Sequence, residues 1–146
     1  MMVTEEWANA DELMAVDACL IGCGGLMNGR FFHVSFPDFI LNQNLHINLC
    51  EMLAIVVALK LWGKYFVGKR IVINCDNFVS VRVLNTGAAR NTFLQSFLRE
   101  ICFIAAMDQF ELKAVHIDGC SNRIPDLLSR WDLSPINFII LFKINL

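Results

Sequence analysis

The sequence predicts one α/β domain built on a mixed sheet, and three observations carry the prediction. Its 146 residues, 56% hydrophobic and 18% charged, match a single domain of ordinary size, able to bury roughly two thirds of its unfolded surface. Short apolar runs of strand length alternate with longer runs at helical spacing. The run IVINC at 71–75 reads as a strand buried on both faces, the parallel-sheet kind.

Each element follows from local pattern. Residues 13–21 are apolar apart from Asp17, the glycines at 22–25 read as a turn, and RFFHVSF reads as a second strand ended by Pro37, together a hairpin. The polar stretch 37–48 reads as a loop with at most a short third strand. From 49 the pattern becomes LCEMLAIVVALKLW, apolar on nearly every side and closed by Gly63, a helix packed on more than one face. Glu51, Ile55, Ala58 and Trp62 share one stripe of it, which holds Glu51 to the packed side. After the strand at 71–75, FVSVRVLN is a short helix stopped by Thr86 and Gly87. Asn91 and Thr92 cap a helix from Phe93 to about Met107, with Phe93, Phe97, Ile101 and Ile104 as its apolar stripe. A strand at 110–117, a turn DGCSN and a helix IPDLLSRW with Pro125 in its first turn complete the domain. The ranges expected are an N-terminal extension at 1–9, the domain at 10–131, and an appended apolar tail at 132–146.

Composition excludes several classes. High hydrophobicity with low charge rules out disorder, and the longest uncharged apolar run, Met52–Leu59, is far short of the roughly 20 residues a membrane span needs. The acidic start, MMVTEEW, does not resemble an export signal, so the expected location is intracellular. In a reducing compartment the six cysteines read as small buried side chains; a zinc site from Cys19 and Cys23 with His33 or His46 fits no usual spacing. The glycines at 22–25 lack the Lys-Ser/Thr pair of a phosphate loop, and no serine nucleophile or zinc-protease helix is present.

Four acids stand out. Asp17 interrupts an apolar strand, where a carboxylate is costly unless paired or bound to a cation. Glu51 and Asp126 fall in first turns of helices, and Asp76 at the carboxyl end of the 71–75 strand, where ligand sites of α/β sheets lie. Taken singly, each also reads as a cap or turn residue. Converging, they would repel one another unless divalent cations intervened, and oxygen donors without His or Cys select magnesium or manganese. Two such ions about 4 Å apart clamp the attacking and leaving oxygens of a phosphoryl displacement, so the expectation is a metal-dependent phosphodiesterase.

The segments VDACLIGCGG, INLCEMLAIVVALKLWG, IVINCDN and HIDGCSNRIPDLLSR, in this order over residues 10–131, resemble the ribonuclease H domain of retroelement reverse transcriptases, DIRS-type and related elements most nearly. The resemblance implies a five-stranded mixed sheet with helices on both faces, and hydrolysis of the RNA strand of RNA-DNA hybrids with two Mg2+ ions, Mn2+ substituting. It places Asp17, Glu51, Asp76 and Asp126 as catalytic metal ligands. It implies a parent polyprotein with a polymerase domain, and recognition of the hybrid through 2'-hydroxyls across the minor groove. Three further residues are candidates for contact with substrate, each with a plainer reading beside it. Asn77 is a backbone hydrogen-bonder or a cap, Asn122 a contact or a cap of the last helix, and His116 a proton shuttle or a structural histidine of its strand. Val16, Asp118 and Pro125 depart from the family's usual residues beside these acids, and none of the departures removes a ligand. A catalytically silent remnant or interaction module is the alternative from another class, and integrase-like or exonuclease chemistry is the alternative on the same scaffold. The net charge of −2 includes the four acids; residues 60–130 carry ten bases against six acids, leaning positive toward a phosphate backbone.

Overall fold

The computed structural model describes residues 10–131, so the expected extension at 1–9 and tail at 132–146 lie outside the described residues. Five strands, β1 (Glu12–Ala18), β2 (Gly22–Met27), β3 (Arg30–Ser35), β4 (Arg70–Cys75) and β5 (Glu111–His116), form one sheet in the order β3-β2-β1-β4-β5. The first three are antiparallel neighbours, and β1, β4 and β5 run parallel, so the sheet is mixed as expected. Five helices accompany it: α1 (Asp38–Leu41), α2 (Ile47–Trp62), α3 (Phe78–Thr86), α4 (Thr92–Met107) and α5 (Arg123–Arg130).

Strand alternation shows that both faces are covered. A Cβ on Gly24 would lie 2.5 Å from Leu128 Cβ of α5. A Cβ on its neighbour Gly25 would instead strike the Phe32 ring, which packs edge-on against Trp62 of α2. Adjacent residues of a strand point to opposite faces, so α5 and α2 lie on opposite sides of the sheet. The core, with Met14, Ile55, Leu59, Ile71, Ile73 and Leu112 among its members, fills the α2 side. Among the described residues no helix is long and apolar enough to cross a membrane.

The glycine-rich segment is not the hairpin turn that the sequence suggests. It lies within β2; the chain reverses before it, at Cys19–Ile21, and again after it, at Asn28-Gly29. Those two residues have φ of 45° and 76°, the double positive φ of a two-residue hairpin turn, which Asn-Gly suits. Glycine serves another end within β2: at 24 α5 sits too near the sheet for a Cβ, and at 22 a Cβ would strike Val34 O of β3. The 37–48 loop contains the short helix α1 and no strand.

The stripe assigned to α4 is rotated. Leu94, Leu98, Ile101 and Ile104 are buried, while Phe93 is 44% exposed and Phe97 only partly buried. Phe93 sits where Asn91 caps the helix, its backbone N–H taken by the Asn91 carboxamide, and its ring falls off the side facing α2. The edge strand β5 is covered at Ala114, whose N–H and C=O both bond the Asn85 carboxamide of α3 at 3.0 and 2.8 Å. That side chain stands in for a strand partner.

Candidate active site

Each of the four acids comes from a different element. Asp17 is the penultimate residue of β1; Glu51 lies in the second turn of α2; Asp76 follows β4; Asp126 lies in the first turn of α5. All four line one open cleft of about 950 Å³, with Arg130, His46 and the apolar residues Leu20, Ile21, Leu45 and Ile47 on its walls.

The parallel topology explains the convergence. β1 and β4 are neighbours and parallel, so their carboxyl ends, with Asp17 and Asp76, emerge side by side. The Asn77 side chain fixes α2 against them: its amide donates to Asn48 Oδ1 at 2.8 Å, one turn before Glu51, while its oxygen caps α3 through Ser80 N at 2.8 Å. Asn77 thus fulfils the capping expectation and braces the site as well.

The α5 helix reaches the cleft by lying almost on the sheet. Cys19 Sγ donates to Ser129 O at 3.3 Å, His33 Nδ1 lies 2.6 Å from Leu128 O, and the His33 ring stacks on Trp131 at 4.6 Å. These contacts set the position of Asp126 on the same helix. They join residues far apart in the chain and leave no local pattern by which the sequence could announce them. Arg130 does carry a signal, because its Nε meets Asp126 Oδ1 at 3.2 Å across the i, i+4 spacing that opposite charges on a helix favour.

Burial sets the electrostatics. Asp17 and Glu51 are each only 4% exposed. Desolvation pushes Asp17 up to about 10, with Glu51, Asp76 and Asp126 adding to the rise. Glu51 is raised to about 7, again by burial first, while its hydrogen bond with Asp17 and the Ala18 amide restrain the shift. Without a cation the pair therefore holds a proton at neutral pH.

These residues fit a hard divalent ion. Glu51 Oε2 is buried and has no hydrogen-bond partner, an orphaned acceptor of the kind a cation satisfies. Ligand atoms of Glu51, Cys75 and Asp76 lie within 4.8 Å of one another. Burial raises the Cys75 thiol to about 12, so it stays protonated, and the oxygens of the two acids are the donors suited to a hard ion. No zinc cluster of cysteine and histidine emerges among the described residues.

The remaining candidates lie elsewhere. Asn122 occupies the N-cap position of α5, yet its side chain makes no capping bond. It is fully buried and donates to Val16 O at 2.8 Å, which corrects the capping expectation. His116 ends β5 opposite Cys75, and its ring stacks at 4.1 Å on the exposed ring of Phe78. It does not line the cleft.

This architecture is the ribonuclease H-like fold, and solved structures bear that out. The chain is similar to LC11 ribonuclease H1 in complex with an RNA/DNA hybrid, with a TM-score of 0.66, 16% identity, and coverage of 81% of this chain and 93% of that one. The ribonuclease H1 of the halophilic archaeon Halobacterium salinarum gives a TM-score of 0.63 at 12% identity, over 85% and 98% of the two chains. A foamy viral protease-reverse transcriptase in complex with RNA/DNA hybrid gives 0.62 at 12% identity over 93% of this chain, which spans only 22% of the viral one. No family model and no curated protein matches the sequence.

Proposed function

We propose that the chain is a metal-dependent endoribonuclease that hydrolyses the RNA strand of RNA-DNA hybrids, with Asp17, Glu51, Asp76 and Asp126 as the catalytic ligands of two Mg2+ ions. The supporting observation is the meeting of four carboxyls from four elements in one cleft, two of them buried and one with an orphaned oxygen. Bound Mg2+ would supply the charge that activates a water toward phosphorus and that steadies the leaving 3' oxygen. The chain's own part is to gather and orient the acids. Asp17 and Glu51 would release their shared proton to solvent on serving as ligands, and Arg130, held by Asp126 at the rim, offers a cation to a phosphate oxygen. The likeness to hybrid-bound structures supports this substrate class. The motif order supports descent from a retroelement of DIRS type, with residues 10–131 as the nuclease domain, 132–146 as an appended segment and a polymerase domain in the parent polyprotein.

Purified protein with Mg2+ or Mn2+ should cut the RNA strand of an end-labelled hybrid, and Asp76→Asn should abolish the cutting. Failure of the wild type to cut in either metal would overturn the proposal. A second reading, a silent interaction module, draws on Leu20 and Ile21, which are 60% and 64% exposed at the cleft wall. A folded protein that binds hybrid without cutting it would favour that reading.

A further inference from the structure

The parallel ladder between β1 and β4 ends at the pair Ala15 and Asn74, where the cleft opens. One residue further on, the Val16 carbonyl takes a hydrogen bond from Asn122 instead, across 106 positions of sequence. That carbonyl belongs to the peptide group leading into Asp17. Asn122 precedes Asp126 by four residues, at the N-cap position of the helix that carries it. A single buried carboxamide therefore joins the backbone carrying one acid to the start of the helix carrying another.

Other roles account poorly for this residue. Its side chain does not cap α5, and its Oδ1 is buried without a partner, a cost that an aliphatic side chain would not incur. At its far end α5 is held by Cys19, His33 and the glycines of β2, so the bond from Asn122 fixes the end nearer the acids. Building on the two-metal reading above, we infer that Asn122 is a positioning residue which sets the distance between Asp17 and Asp126 and thereby the affinity of the site for divalent cations.

The test compares Mn2+ binding to the wild type, Asn122→Ala and Asn85→Ala, read by the loss of the free-ion electron paramagnetic resonance signal well below the melting temperature. Asn85→Ala is the control, because it also removes a carboxamide bonded to backbone, here half-buried and on β5, away from the cleft. Asn122→Ala should weaken Mn2+ binding on the order of tenfold, the scale seen when groups that orient metal ligands are lost. Asn85→Ala should stay within about twofold at a comparable loss of stability. Should Asn122→Ala fail to fold, Asn122→Ser, whose hydroxyl is too short to reach Val16 O, should show the same weakening. Wild-type affinity in the folded Asn122 variant, or equal weakening in Asn85→Ala, overturns the inference and leaves the nuclease reading standing. Absence of Mn2+ binding by the wild type overturns both.

Discussion

Replacing Asp17 with asparagine should make the metal-free protein more stable while destroying its activity. In the unfolded chain Asp17 titrates near 3.8 and is ionised at pH 7; in the folded chain burial raises it to about 10, so it is protonated. Folding at pH 7 must therefore take up a proton. The cost is about 1.4 kcal/mol for each pH unit above 3.8, or about 4 kcal/mol at pH 7, and it does not depend on the folded value so long as that value stays well above 7. An asparagine has nearly the same shape, carries no charge and can still donate to Glu51, so it avoids this cost. Relaxation around the site reduces the gain, and about 2–4 kcal/mol is expected.

The sign follows from linkage. An acid whose folded pKa is raised contributes stability that is fully present below its unfolded pKa and is lost as pH rises toward the folded one. Metal-free wild type should thus lose stability from about pH 4 upward through neutrality, with Glu51 adding to the loss between 4.5 and about 7. Urea unfolding followed by circular dichroism in EDTA measures this. At m values of about 1–3 kcal/mol per molar, the variant's midpoint should exceed that of wild type by roughly 1–2 M at pH 7. At pH 5 the gap should be smaller by about 2.7 kcal/mol, and saturating Mg2+ should raise the wild type far more than the variant. A variant less stable than wild type at pH 7 in EDTA, or a gap unchanged between pH 5 and 7, would refute the reasoning.

Other outcomes follow from single contacts. Gly24→Ala should cost about 1–3 kcal/mol by forcing α5 off the sheet, since its Cβ would meet Leu128 at 2.5 Å, and hybrid cleavage should fall with the displacement of Asp126. Denaturant midpoints and single-turnover rates measure the two effects. Asn85→Ala should lose about 1–3 kcal/mol through its two bonds to Ala114 without changing cleavage per folded molecule, and hydrogen exchange at β5 should accelerate. Arg130→Ala should leave thermal stability within about 0.5 kcal/mol, because its pair with Asp126 is largely solvated, yet weaken hybrid binding measured at low salt.

How far the sequence can be read depends on the range of the interactions involved. β4 and α3 are legible because an apolar run, an asparagine N-cap and the αL glycine at 87 act within a few residues. The glycines of β2 mislead because glycine signals a turn and a close approach alike, and only the position of α5 on the sheet separates the two. Asn28-Gly29 is the better local signal for the hairpin. The α4 stripe is ambiguous because the helix offers Phe93 and Phe97 on one line and Leu94 and Leu98 on the next, and the packing against α2 decides between them.

The acids are legible for a physical reason that their positioning groups lack. A carboxylate in an apolar strand or on the buried stripe of a helix violates local rules so plainly that Asp17 and Glu51 stand out from the residue pattern alone. Asn122, Asn77 and His33 violate nothing locally; their side chains matter because of what lies across 106, 29 and 95 residues of sequence. Repulsion among the acids disfavours the metal-free fold, and the bonds made by these polar residues, together with the contact of α5 at Gly22 and Gly24, oppose that repulsion from outside the cleft. A change in any of them should therefore register first in cation affinity, where the positions of the acids are felt most directly, and only afterwards in the stability of the sheet.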